Sequence, residues 1–548
     1  MYARGTLFSA FFLNLPYNQL EAVLTPPEFE LRNWTVAGTK EIMNPMRSGT
    51  TSPPQFRHYG TRRDFLRATG AAATLLAVGS RVSAAEPAEN LVVRENKKTG
   101  TKDWLLTRLE PARGEGEDAP WERRPAIEGF CSHPSIRAGE SLRVYVSTSP
   151  ASRYSADIFR MGYYGGMGGR HVRSIGPLAG TVQPTPADED NQLVQCRWKV
   201  AFELEIPRDW LSGVYLGKLK TADTGYESYF VFIVRDGRNA DFLFQCSDTT
   251  WQAYNRWPAW RSLYDWKENK WHTSVGAEIS FDRPYSLYYN KLPAGLVPIT
   301  NGSGEFLLWE HPLSYWMEKE GYDVTYISNL DTHTDAKGLL RAKGFLSVGH
   351  DEYWSQEMYD HVSAARDAGV HLAFLSGNAV SGRILFKPGA DGRPNRIFGR
   401  HETGGSHYFG NDKELMGVKS YGVGAADWTC RAPDHWIFTG SGMKEGDAIP
   451  QLVGWEYHGP PMRDDPSLVV LASGKTRRYR DETNREYAAV LYTAAKRNFV
   501  FNAATCWWNM LLARPPGAVN PANTNFSRED PRVQRITKNL LDRMRTTK

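Results

Sequence analysis

Three polar segments of this 548-residue chain each follow a short apolar run, and each carries residue types able to do chemistry. Gly349-His350-Asp351-Glu352-Tyr353-Trp354 follows Phe345-Leu346-Ser347-Val348, and Ser247-Asp248-Thr249-Thr250-Trp251-Gln252-Ala253-Tyr254-Asn255 follows Phe242-Leu243-Phe244-Gln245-Cys246. Ser376-Gly377-Asn378 follows His371-Leu372-Ala373-Phe374-Leu375. His350 and Glu352 stand two apart, so extended backbone would point them the same way. A carboxylate beside an imidazole suits metal ligation and proton transfer. The same run also suits an ion-paired cluster at a helix start, where acids are favoured. Spacing by itself leans slightly to that capping cluster. Two features weigh against it: three ionisable residues in a row at a predicted ligand-binding edge, and a second polar segment aimed at the same edge.

Covalent catalysis finds little support. No Gly-x-Ser-x-Gly occurs near a strand–helix junction, and Ser303 in Asn301-Gly302-Ser303-Gly304 lacks the flanking pattern. No cysteine occupies the turn after 345–348. Cys131, Cys196, Cys246, Cys430 and Cys506 are scattered, without a CxxC or zinc-type spacing. One disulfide is allowed in an oxidising compartment, with no pair singled out. A metal-activated water fits better than a side-chain nucleophile.

The elements that must position these residues divide the chain. From about 90 to 236 the runs are short and alternating, as in Ser141-Leu142-Arg143-Val144-Tyr145-Val146-Ser147, with Gly and Pro between them and no amphipathic helix of useful length. This predicts a β-sandwich domain over 90–236. The glycine run Gly162-Tyr163-Tyr164-Gly165-Gly166-Met167-Gly168-Gly169 lacks the Lys-Ser/Thr of a phosphate loop and reads as a β-turn. From 240 to 548 strands alternate with helices. Strands are expected at 242–246, 323–327, 345–348, 371–375, 468–472 and 498–502, and helices at 305–320, 355–368 and 532–545. The expected class is therefore α+β multidomain, a β-sandwich followed by a Rossmann-like, glutamine-amidotransferase-like α/β domain with a parallel sheet. In such sheets ligands bind outside the carboxyl ends of the strands, where the three polar segments fall.

The formal charge of +5 resides almost wholly in residues 1–84, which carry +4 of it. The nearly neutral remainder gives no electrostatic case for nucleic acid or an anionic membrane. Thr61-Arg62-Arg63-Asp64-Phe65-Leu66-Arg67, the apolar stretch Ala68 to Val78, and small residues before Ala85 are the parts of an export signal in order. The arginine pair makes residues 61–84 resemble a twin-arginine leader, predicting a periplasmic or extracellular protein. The apolar stretch is too short for a permanent span, so no membrane span is expected in the mature chain. Residues 1–60 read as disordered or as a misplaced start, with Met46 an alternative first residue.

Six runs resemble the N,N-dimethylformamidase large (beta) subunit family: Arg160-Met161-Gly162-Tyr163-Tyr164-Gly165-Gly166, Trp251-Gln252-Ala253-Tyr254-Asn255, Asp282-Arg283-Pro284-Tyr285, Gly349 to Trp354, Leu452-Val453-Gly454-Trp455-Glu456, and Asp530-Pro531-Arg532-Val533-Gln534-Arg535-Ile536-Thr537. Each run is short, but six in order over roughly 125–545 are a strong resemblance. It implies one mononuclear iron, ferric by donor type, held by two tyrosines and a glutamate. A histidine and a second glutamate would then act in catalysis. On the matching positions these are Tyr254, Tyr285 and Glu352 as metal ligands, with His350 and Glu456 catalytic. Hard oxygen donors suit such a cation. Asn378 is a candidate donor to a substrate oxygen, with a plain turn residue the alternative. A lysine of the family has no clear match, because the region after Lys387 diverges. The expected activity is exported, iron-dependent hydrolysis of a linear amide C–N bond in a small molecule. The alternatives are a non-catalytic exported ligand- or carbohydrate-binding protein, or a hydrolase using another metal such as zinc. The family works with a small subunit, for which this sequence shows no obvious place. Homo-oligomers are allowed.

Overall fold

The computed structural model describes residues 89–111, 123–267, 269–270, 276–286, 301–400, 408–462, 464–477, 484–518 and 528–547. The expected leader at 61–84 and the segment 1–60 lie outside them. The described residues fall in one compact unit. They form a mixed α+β structure, mostly strands in several sheets with few helices and no closed barrel. Among them no helix is long and apolar enough to cross a membrane.

Eight strands form first: β1 (Glu128–Cys131), β2 (Ser135–Arg137), β3 (Ser141–Ser147), β4 (Arg153–Met161), β5 (Gly169–Ala179), β6 (Phe202–Glu205), β7 (Gly213–Thr221) and β8 (Glu227–Arg235). They make a three-stranded sheet, β1-β3-β6, and a five-stranded one, β2-β8-β7-β4-β5. Alternation places Leu142, Val144 and Val146 in one core with Ile158, Tyr215, Phe230 and Phe232 of the larger sheet. The residues between them on β7 and β8, including Leu216, Val231 and Ile233, face a second core shared with Phe244, Trp251 and Trp316. These two strands are buried on both faces, which is why Tyr229 to Val234 reads as an unbroken apolar run. The glycine run turns β4 into β5, as expected from its lack of a phosphate-loop lysine.

The second region is built on one seven-stranded sheet. Its strands are β9 (Ala240–Cys246), β10 (Val324–Ser328), β11 (Ala342–His350), β12 (His371–Gly377), β13 (Val469–Arg477), β14 (Asn484–Thr493) and β15 (Phe499–Asn502). The order is β10-β9-β11-β12-β15-β14-β13. The first five are parallel to their neighbours, while β14 and β13 add antiparallel. The expected parallel sheet is thus extended by a hairpin, because only a short turn joins β14 to β15.

The helices used below are α1 (Leu91–Asn96), α2 (Asp248–Ala253), α3 (His311–Lys319), α4 (Asn329–Thr334), α5 (Gln356–Ala368) and α6 (Pro531–Thr546). The helix expected over 305–320 begins as a π turn, Phe306–Glu310, before α3. Pro312 supplies the reason. It lacks the N–H needed inside a helix but fits its first turn, so the α-helix restarts there. Helix α1 is pinned at both ends. The Asn90 side chain accepts from Val93 N, and Asn96 Oδ1 accepts from Tyr163 N at 2.9 Å and Tyr164 N at 2.8 Å.

Candidate functional site

Strand order reverses between β9 and β11, and such a reversal opens a crevice at the carboxyl edge. Both strands end in the polar segments. Gly349 has φ +73°, and a Cβ there would lie 2.6 Å from Trp309 Cβ, so only glycine fits the turn. The following residues alternate. Asp351 turns inward and accepts from Gln245 Nε2 at 2.7 Å, Ser347 Oγ at 2.8 Å and Asn329 Nδ2 at 2.9 Å. It ties β9, β11 and α4 together and is used up in doing so. His350 and Glu352 turn the other way, as extended spacing requires. Thr250 Oγ1 fixes this turn, accepting from Glu352 N at 2.9 Å and Tyr353 N at 3.3 Å.

Glu352 collects phenols. Tyr254 OH donates to Glu352 Oε2 at 2.7 Å, and Tyr264 OH donates to Oε1 at 3.0 Å. The two hydroxyls lie 3.1 Å apart, and Tyr353 OH contacts Tyr264 OH. Burial, then the Glu352 charge, push the Tyr254 and Tyr264 hydroxyls well above their ordinary range. The Arg400 guanidinium lies 4.9 Å from the centre of the Tyr264 ring, a position that favours the cation.

His350 lies on the other side of Glu352, its Nε2 3.5 Å from Glu352 Oε2 and in contact with Glu456 Oε2. Burial opposes a charge on His350, but Glu456, Cys506 and Glu352 together outweigh it and raise the imidazole well above its usual value. The Trp455 ring stands edge-on to His350, 5.6 Å between centres, and to Tyr254 at 6.4 Å. Asn378, at φ +50°, binds Glu456 through its side chain, and its Oδ1 accepts from Ser420 Oγ at 2.6 Å. The Cys506 thiol completes this side, for the ligand atoms of His350, Glu456 and Cys506 all lie within 4.8 Å of one another. Burial pushes that thiol up to about 12.

A family model described as N,N-dimethylformamidase beta subunit-like, C-terminal, matches residues 155–524. The chain belongs to the N,N-dimethylformamidase beta subunit-like family. No curated protein matches it. The family match begins inside β4 and takes in every candidate residue named above.

Of the residues singled out from sequence, the structure gathers His350, Glu352, Tyr254, Glu456 and Asn378. It does not bring Tyr285 to this cluster. The Tyr285 side chain binds Gln252, and its ring packs 6.2 Å from that of Trp251. Tyr264, ten residues after Tyr254 and outside the six runs, stands on Glu352 instead. The run Asp282-Arg283-Pro284-Tyr285 is a buttress for the loop between those two tyrosines. Buried Arg283 donates to the carbonyls of Gln252 at 3.2 Å, Asn255 at 3.0 Å, Trp257 at 2.9 Å and Arg261 at 2.6 Å. Asn378 acts on Glu456 and Ser420, neither of which is a substrate group. Sequence reasoning also missed Cys506, Tyr353 and Arg400, none of which sits beside the three polar segments in a way that marks it, Tyr353 excepted.

Proposed function

We propose that this chain is an exported, iron-dependent amidohydrolase that cleaves a linear amide C–N bond with water. One observation carries the reading: three hard oxygen donors, from Tyr254, Tyr264 and Glu352, converge beside an imidazole–carboxylate pair. The donor set fits a ferric ion. Protons now shared among these oxygens occupy the place a small, highly charged cation would take, and such oxygens are its preferred partners. Tyr254, Tyr264 and Glu352 would hold it, with Tyr285 set aside. A bound ferric ion would polarise an amide carbonyl and acidify water.

The protein's own residues supply the rest. The His350–Glu456 pair takes a proton from the attacking water, a contribution of roughly 10² to 10⁴ in rate for a well-placed base. Asn378 fixes the Glu456 carboxylate, and Asp351 fixes the strand ends that aim His350 and Glu352. The Trp455 ring, edge-on to His350, screens the pair from water. We further read β1 to β8 as a β-sandwich domain (90–236) and the remainder (240–548) as a Rossmann-like, glutamine-amidotransferase-like domain carrying the site. Export through a leader at 61–84 and a separate small subunit, as the family name suggests, belong to the same proposal.

A second reading uses the nitrogen, oxygen and sulfur of His350, Glu456 and Cys506, a donor set suited to zinc. Elemental analysis of the mature chain grown with iron separates the two. Near one iron per chain, with a visible tyrosinate-to-iron absorption lost in Tyr254→Phe, supports the first. Zinc lost in Cys506→Ser supports the second. A chain that stays metal-free after loading rejects both and leaves a non-catalytic ligand-binding protein as the better account.

A further inference from the structure

Tyr353 directly follows Glu352 and opens a small sheet beside the centre. The sheet runs in the order Tyr353–Ser355, Gly382–Lys387, Ile397–Arg400 and Glu278–Ser280. Helix α2 clamps the Tyr353 backbone, whose carbonyl accepts from Thr249 Oγ1 at 2.7 Å. Tyr353 pairs with Gly382, and a Cβ there would lie 2.5 Å from the Tyr353 ring. Glycine at that place makes room for the ring on its neighbouring strand. The ring is buried and stands edge-on to Tyr264, with 6.3 Å between centres. Arg400 ends the next strand, opposite Ile384.

These groups form a hydrogen-bond chain with one direction. A guanidinium only donates and a carboxylate only accepts. Arg400 therefore donates to the Tyr353 hydroxyl, which turns the Tyr353 proton toward the Tyr264 oxygen. Tyr264 OH in turn donates to Glu352 Oε1 at 3.0 Å. Each bond polarises the next. The same guanidinium lies 4.9 Å from the centre of the Tyr264 ring and draws on its electrons from the face. Among the described residues Tyr254 has no such backing. Its hydroxyl donates to Glu352 Oε2 at 2.7 Å, and its ring neighbours include His350 at 5.1 Å and Trp455 at 6.4 Å.

We propose that Tyr353 and Arg400 are positioning residues that make the two tyrosine ligands unequal. The hydrogen bond from Tyr353, held in place by Arg400, draws electron density from the Tyr264 oxygen. Tyr254 is left as the stronger donor to iron. This rests on the iron-centre reading and is independent of which bond the substrate offers. A phenol oxygen that already accepts a hydrogen bond gives less charge to a cation. The centre thereby keeps more of its power to polarise a carbonyl.

The test is spectroscopic and uses the iron-loaded full chain. In the wild type the tyrosinate-to-iron absorption should have two components. The longer-wavelength one should vanish in Tyr254→Phe and the shorter one in Tyr264→Phe. Tyr353→Phe removes one hydroxyl, and Arg400→Met removes the guanidinium while keeping an unbranched side chain. Each should move the shorter component to longer wavelength, leave the other in place and keep iron per chain unchanged. Arg400→Lys, which retains a cation and a donor, should return the component most of the way. In Tyr264→Phe the further change Tyr353→Phe should move nothing, as coupling through one residue requires. A component that ignores Tyr353→Phe, a shift that survives Tyr264→Phe, or loss of iron would overturn the proposal. A second readout needs no variant at positions 353 or 400. In resonance Raman spectra of the wild type, heavy water should shift the Tyr264 phenolate mode and spare that of Tyr254. Shifts in both, or in neither, overturn the inequality. A wild type that holds no iron, or holds it without a tyrosinate band, overturns the iron reading and this network together. A band from two equivalent ligands overturns the network alone.

Discussion

Two clusters of buried charge sit in this molecule, and they are finished differently. In the first, Arg160 and Glu318 are both fully buried and joined by two bonds, at 2.8 and 3.0 Å. Glu318 also accepts from Asn96 at 2.7 Å and Tyr326 at 3.0 Å, and Glu95 joins through Tyr164 at 2.9 Å and Arg170 at 2.6 Å. Acids and bases are matched, and every Glu318 oxygen is used. Gly162 is part of this fit, since a Cβ there would lie 2.3 Å from Glu318 Oε2. In the second cluster two carboxylates, Glu352 and Glu456, flank the one imidazole of His350. The first cluster is glue between the two regions of the chain. The second holds more acid than base, an imbalance that a polyvalent cation and a polar substrate would correct.

The sharpest way to test that contrast is to remove one acid from each. Glu352→Gln should abolish iron binding and lower activity by more than about 100-fold, since even residues behind a metal ligand are worth 10- to 100-fold. Elemental analysis and turnover check it, and folding by urea titration should change little. Glu318→Gln should do the reverse. It leaves Arg160 buried without its charge partner, at a cost of roughly 3–5 kcal/mol in urea unfolding, with iron per folded chain unchanged.

Acid should reach the second region through His458. Its Nε2 accepts from Ala379 N and its Nδ1 faces Asn502 Oδ1, both at 2.8 Å, and burial lowers its pKa to about 4. Between about 4 and 6.5 the unfolded chain binds this proton and the folded chain does not. The stability from neutral His458 is therefore complete above about 6.5 and falls away toward about 4, on the order of 3 kcal/mol. Denaturation midpoints measured across that window should fall less steeply in His458→Gln, the buried His311 and His371 supplying the remaining slope. The smallest effect distinguishes the tyrosines. Tyr264→Phe should weaken iron binding about tenfold and shift the visible band, whereas Tyr285→Phe should leave both within about twofold.

The frame was legible in the sequence wherever the signal was local. Apolar runs bounded by Gly marked β9, β11 and β12, and the polar segments behind them fell at the carboxyl edge as expected. His350 and Glu352 were legible because a two-residue spacing at a strand end fixes their direction. Tyr264 was not, because its approach depends on a loop held by Arg283, which leaves no periodic trace. Cys506 reaches His350 because β15 pairs with β12, a contact across 128 residues that no spacing encodes. Tyr285 misled for a related reason. It was the one tyrosine in its run, yet Arg283 and Gln252 claim that run for support.

The short helix α1 fixes where a usable protein can begin. Asn96 bonds both the β4–β5 turn and Glu318, and the Asn90 side chain reaches the carbonyl of Gly321 at 2.9 Å. Trimming beyond Asn90, by a protease or by choice of cloning boundary, would open the Arg160–Glu318 cluster from outside, so limited digestion from the amino end should halt at α1 while the fold holds.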